Sequence, residues 1–228
     1  MKDSRGLRMW SSLSGLLFVV LFVIGSGLMF DGPNGDESPA KFISFYGDSG
    51  NRDKINIGWI LSGLGLFFFL WFVASLRETV REAEVPDGGR DGMLGFLVSI
   101  GGAGYAAVAL GAVGLAAGVR TMSDDTYRHQ VYPDIIHANS DGTYIMHATG
   151  TAALSVMIFA FSMAILGSRT LPRWLGWFGL LAGLAALISI IFFTIFIWLL
   201  WVAVTSILLF LRSRNAGPAR PTVQPAAG

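Results

Sequence analysis

Cysteine is absent from the 228 residues, which excludes disulfides, thiolate metal sites and cysteine nucleophiles and leaves the redox compartment unread. Charge is scarce. Asp, Glu, Lys and Arg make up 14% of the chain, against about a quarter in a soluble globular domain. The two signs nearly cancel at a net charge of +1, so no basic field exists to hold nucleic acid. What charge there is avoids the apolar runs: none falls in 9–30, 55–76, 94–119, 144–166 or 174–211. Ionisable groups that persist in hydrocarbon mark proton relays, ion paths and counter-ions. Their absence leaves proton-coupled transport and a retinal-type Schiff base without a carrier, and disfavours a channel lined by charged rings. No G-x-S-x-G occurs, and no acid is placed to orient a Ser–His pair. The glycine cluster of 101–104 lies within an apolar run, where a phosphate loop has no place. No catalytic residue is assigned.

What is present is hydrophobicity: 53% of residues are apolar and mean hydropathy is +0.60. A hydrocarbon core of about 30 Å takes roughly 20 apolar residues per helical span. The run 174–211 would form one helix of about 57 Å, too long for a single crossing. The pattern therefore predicts an all-α, polytopic transmembrane helix bundle of six spans, 9–30, 55–76, 94–119, 144–166, 174–192 and 194–211. These lie in a transmembrane domain of 1–214, followed by a disordered cytoplasmic tail, 215–228, rich in Pro and Ala. The turn between the last two spans is placed near Phe193 and Thr194, although 190–196 (IIFFTIF) holds no Gly, Pro, Asn or Asp. Cytoplasmic loops collect Lys and Arg. Six spans with both termini inside place eleven of these residues on the inner side and five outside, whereas five spans would place eight on each. The outer face is then acidic. The 9–30 run lacks an A-x-A-like cleavage site, so it is expected to be a retained first span.

In the first outer loop Ser38-Pro39 reads as an N-cap and first helical position, and Phe42, Phe45 and Tyr46 form one apolar stripe. This short helix either lies flat at the headgroups or caps the bundle. The second outer loop is placed at 120–142. Trp10, Trp174 and Trp177 mark the inner interface, and Trp59, Tyr46, Tyr127, Tyr132 and Tyr144 the outer one.

Lipid tails remove the hydrophobic incentive for helices to associate, so small residues must supply close packing. Gly104, Gly111, Gly114 and Gly118 recur along span three, and Gly179 and Gly183 along span five. These two spans are expected at the bundle centre. Spans two and six, with FFFLWF and IFIWLLW, are expected to face lipid. Gly114–Gly118 is a G-x-x-x-G, read first as intramolecular packing rather than a dimer seam.

The polar residues left within the spans concentrate on the fourth. His147, Thr151 and Ser155 stand at i, i+4 and i+8, with Tyr144 one turn before and Ser162 further along. Thr and Ser in such a column are expected to bond back to their own helix, with His147 bonded to a neighbouring loop. The competing reading is a polar cleft open to the outside, with His147 as ligand or proton-handling group. The three histidines, His129, His137 and His147, share the outer side with Asp134, a candidate though unfavoured metal set whose spacing matches no known motif. No cofactor is predicted.

Three stretches, FISFYGDSGNRDKINIGWILSGLGLFFFLWFVASLR, LPRWLGWFGLLAG and LLFLRSR, cover about a third of the chain. Through them it resembles a broad group of uncharacterised six-span integral membrane proteins of high-GC Gram-positive bacteria. That resemblance implies a helical bundle in the bacterial plasma membrane and implies no activity. The resulting expectation is a non-enzymatic accessory, scaffold or lipid-binding bundle with an acidic outer surface. Its partners are membrane lipid, as a candidate ligand, and a further membrane protein. The alternative is a small transporter or channel for a neutral or amphipathic molecule, lined by span four. A membrane metalloprotein using the outer histidines is the weaker third reading.

Overall fold

The computed structural model describes residues 4–29, 31–33, 37–84, 92–122, 132–168, 170–189 and 194–215. The expected tail beyond 215 and residues 123–131 of the expected second outer loop, including Tyr127 and His129, lie outside them. Seven helices follow in order: α1 (Ser4–Met29), α2 (Pro39–Gly47), α3 (Ser49–Glu84), α4 (Met93–Met122), α5 (Pro133–Gly167), α6 (Arg173–Ile188) and α7 (Ile195–Asn215). Among the described residues there is no strand. Five helices, α1, α3, α4, α5 and α7, are long and apolar enough to cross a membrane. The apolar α6, where a full span was expected, has 16 residues and is about 24 Å long, short of a hydrocarbon core.

Glycine contacts set the packing sense of neighbouring helices. Along α6, Gly176, Gly179 and Gly183 face Leu166, Ser162 and Phe159 of α5 in turn, so the two run antiparallel. On α4, Gly101 lies against Ala153 and Met157 and Gly111 against Met146 of α5, again antiparallel. Gly25 of α1 lies against Ser62 of α3 and Gly65 of α3 against Phe22 of α1, so these two are antiparallel as well, and Gly102 meets Val73 of α3. Helix α7 runs antiparallel to α1, with Ser206 beside Leu16 and Trp198 beside Phe22. The start of α1 and the end of α7 therefore share one end of the bundle, where Arg212 bonds Glu82 at 2.9 Å. Helix α2 lies at the other end.

Several expectations are corrected. The bundle centre is α5: 61% of its most apolar window is buried, against 39% for α3, α4 and α7 and 33% for α1. It is central because its small residues let neighbours approach, as Gly150 does for Val108. Helices α3 and α7 are not simply lipid-facing. Phe69, Phe72, Trp198 and Trp201 are buried while Phe67, Trp71, Phe196 and Leu200 are exposed, so each helix splits its bulky residues between two faces. Gly104, Gly111, Gly179 and Gly183 do sit at helix contacts, but a β-carbon at Gly114 or Gly118 would meet nothing within 4 Å. The G-x-x-x-G is therefore not an intramolecular seam among the described residues.

The expected second outer loop is shorter than placed. Pro133 opens α5, where its fixed φ and missing N–H suit a first turn. His137 and Asp134 are thus helical, and Asn139 Nδ2 ties this extension to Leu115 O of α4 at 2.7 Å. Helix α2 caps the bundle instead of lying flat: Phe42 and Tyr46 are buried with Ile55 and Ile136 in a satellite core. Burial raises the Tyr46 phenol above its ordinary pKa. Arg52 locks this corner, its guanidinium donating to Tyr46 O and Gly47 O at 2.9 and 3.0 Å. At the opposite end the Glu84 carboxylate accepts from Leu94 N and Gly95 N, both at 3.1 Å, capping α4 from the preceding helix.

The break between α6 and α7 falls where expected but uses different chemistry. Ser189 Oγ and Thr194 Oγ1 lie 2.6 Å apart and each lies within hydrogen-bond reach of Ala185 O, so their two hydrogens serve this three-way cluster, one hydroxyl donating to Ala185 O and the other to Ala185 O or to its neighbour. Two hydroxyls satisfy the helix end in place of Gly or Asn. Another hydroxyl ties α7 to α1: Ser206 Oγ donates to Ser12 O and accepts from Leu16 N at 3.1 Å, bonding both groups of one i, i+4 pair on α1. Ser206→Ala removes the bridge but lets Ser12 and Leu16 pair directly. The expected loss is therefore small, about 0.6 kcal/mol, as for interhelical bonds in bilayers. Equilibrium unfolding in mixed micelles checks this, and a loss beyond about 2 kcal/mol would mean the α1 ladder does not close.

Candidate functional site: an apolar cavity at the α2 end

Between the α2-proximal halves of the helices lies a cavity of about 320 Å³. Helix α1 supplies Phe22, Val23, Gly27 and Met29, and α4 supplies Ala109, Ala112 and Val113. Thr143, Tyr144, His147 and Thr151 come from α5, and Ile195, Phe196, Trp198 and Leu199 from α7. Ser26, Ser62, Ser189 and Thr194 add hydroxyls, and among the described residues no Asp, Glu, Lys or Arg reaches the lining. The space exists because α4 presents alanine where α1 and α7 present rings. Val23, Gly27, Tyr144 and Phe196 are exposed as well as lining, so they form the rim. Phe196 is 69% exposed, and three of these four residues are apolar, a composition suited to hydrocarbon rather than to water.

The span-four column thus lines an apolar cavity rather than a polar cleft. Thr151 Oγ1 bonds back to Ala148 O at 2.5 Å, Ser155 Oγ to Ala152 O at 2.7 Å and Ser162 Oγ to Ile158 O at 2.7 Å. These three hydroxyls are spent on their own helix. Thr151 lines the cavity, whereas Ser155 does not. Tyr144, 46% exposed, sits at the rim.

His147 departs from the expected loop bond. Its ring stacks on Phe22, with centroids 5.5 Å apart and planes at 20°, and Tyr105 meets it edge-on at 6.0 Å. Tyr105 also meets Trp198 edge-on at 5.8 Å. Three rings that carry hydrogen-bonding atoms therefore converge here, His147 and Trp198 in the cavity wall and Tyr105 behind them. Among the described residues, Tyr105 OH, Thr143 Oγ1, His147 Nε2 and Trp198 Nε1 are buried without a partner. Sequence reading found His147 by its place in the column. It missed Thr143, although Thr143 stands four residues before His147 in the same column and that spacing could have found it, and it missed Tyr105 and Trp198, which lie in apolar or aromatic context on two other helices.

The candidate metal set does not assemble. His137 and His147 are ten residues apart on one helix, about 15 Å along its axis. The His137 ring packs on Phe42 at 4.6 Å. No group of three or more potential ligands occurs among the described residues, and His129 lies outside them. No family model, curated protein or solved structure matches the chain.

Proposed function

We propose that this chain is a six-span protein of a bacterial plasma membrane, with both termini cytoplasmic, that binds a lipid in the cavity at its outer, α2 end. Its role is non-enzymatic: an accessory or scaffold bundle with a lipid bound inside. One observation carries the binding reading: a charge-free, ring-lined cavity whose rim is exposed apolar side chain. A transported ion would need charged or carbonyl ligands along its path, whereas an acyl chain needs only apolar surface. The six-span count is supported by the antiparallel sense of α6 to α5 and of α7 to α1, which returns the chain to its starting side.

Two measurements test this. Purified protein should retain about one equivalent of lipid on native mass spectrometry, and Ala112→Phe, which fills the cavity, should release it. Lipid-free wild type, or equal retention by Ala112→Phe, overturns the binding reading. Flux through wild-type proteoliposomes that Ala112→Phe abolishes replaces it with the transporter. The cysteine-free background makes the topology directly readable. Ser140→Cys should react with an impermeant maleimide in intact cells and Ala216→Cys only after lysis. Labelling of Ala216→Cys from outside would make the number of crossings odd.

A further inference from the structure

Resting on the lipid-binding reading above, we infer that the cavity recognises a neutral amphiphile through a carbonyl oxygen held by Trp198 and Thr143 beside His147. Indole nitrogen can only donate. Trp198 is wholly buried, lines the cavity, and its Nε1–H has no acceptor among the described residues. Thr143 is 6% exposed, lines the same cavity, and its Oγ1 is likewise without a partner. Thr143 differs in this from Thr151 on the same helix, which bonds back to Ala148. Buried polar groups are paired in the great majority of cases, so unpaired donors around one cavity point to an acceptor brought by the occupant.

The rest of the lining narrows the chemistry. Among the described residues no cation is there to neutralise a phosphate or carboxylate and no anion to meet an ammonium head, so a charged head would be desolvated without compensation. A hydrocarbon would leave the donors as they are. A carbonyl oxygen has two lone pairs and brings no hydrogen of its own, so it satisfies two donors at once. Phe22, stacked on His147 and 6.4 Å from Trp198, supplies an apolar wall beside them. Two sources offer this chemistry, an acyl ester and a prenylated or alkylated quinone, and the geometry specifies the carbonyl they share.

The test measures binding to delipidated protein in detergent by native mass spectrometry. The probes are monoolein, decyl-benzoquinone, hexadecane and an anionic lysophosphatidylglycerol. At least one carbonyl probe should bind, and whichever binds more tightly identifies the source. Trp198→Phe and Thr143→Val should each weaken that probe by about tenfold, the scale of one hydrogen bond, and leave hexadecane unchanged. Thr143→Val keeps the side-chain shape, so it decides alone where Trp198→Phe fails to fold. Hexadecane, or the anionic lipid with its own ester carbonyl, binding as tightly as the neutral carbonyl probes monoolein and decyl-benzoquinone overturns the inference, as does a neutral carbonyl probe indifferent to Thr143→Val. Binding of hexadecane alone leaves the lipid cavity standing, whereas no binding by any probe to protein that also purified lipid-free removes both.

Discussion

Gly101→Ile should lower the melting temperature of the purified protein by roughly 5–10 °C, while Gly114→Ile in the same helix leaves it nearly unchanged. Both glycines sit on α4 in apolar surroundings, and by sequence Gly114, half of a G-x-x-x-G, is the stronger packing candidate. The structure reverses that order. A β-carbon on Gly101 would stand 2.7 Å from Ala153 O and 2.7 Å from Met157 N, backbone atoms that cannot rotate aside. Isoleucine there must push α4 off α5, at an overpacking cost of about 1–3 kcal/mol or more. At Gly114 the new side chain finds nothing within 4 Å. Thermal unfolding followed by circular dichroism compares the two. Equal losses would mean that the closest α4–α5 approach is misplaced. A larger loss for Gly114→Ile would mean that its open face is covered by another chain.

The sequence makes the helices legible because the bilayer sets their length, and charge-free runs of about 20 residues mark four of them, while 174–211 holds two helices of which α6 is shorter than a span. Packing is harder to read, since Gly25, Gly101 and Gly114 are the same residue and only the neighbour's approach distinguishes them. Helix ends are misjudged where polar sequence continues a helix, as in 133–143 ahead of the expected fourth span, because hydropathy marks the membrane edge rather than the helix end. The α6–α7 turn is hidden for a related reason. Ser189 and Thr194 do the capping, and hydroxyls in an apolar run carry no punctuation signal. At the site, i+4 spacing located His147 and Thr151 on one helix but could not find partners on others. Tyr105 meets His147 and Trp198 only when α4, α5 and α7 pack, and in sequence a tryptophan in IFIWLLW looks like a lipid anchor.

Trp201→Ala should cost about 2–3 kcal/mol of stability, and Leu200→Ala next to it almost nothing. The two positions separate what a bulky residue contributes inside the bundle from what it contributes against lipid. In water both truncations would lose transfer free energy, but lipid tails are as apolar as either side chain, so only the packing and cavity part of the cost survives. Trp201 has all of that to lose. It is fully buried, its ring meets Phe161 edge-on at 5.7 Å, and it fills the space left by the missing β-carbon of Gly179 on α6. Truncation therefore leaves a hole where α5, α6 and α7 meet, which none of the three can close without losing other contacts. Leu200 is 57% exposed, so lipid chains would fill the space its truncation leaves. Trp201→Phe should fall between, retaining the aromatic edge contact while losing volume. Equilibrium unfolding in bicelles measures all three. Trp201 lies outside the cavity lining, so a folded Trp201→Ala protein should still bind the lipid that Ala112→Phe excludes. Were Leu200→Ala the more damaging change, the opposite face of α7 would be the one turned inward, and Trp198 could not then line the cavity.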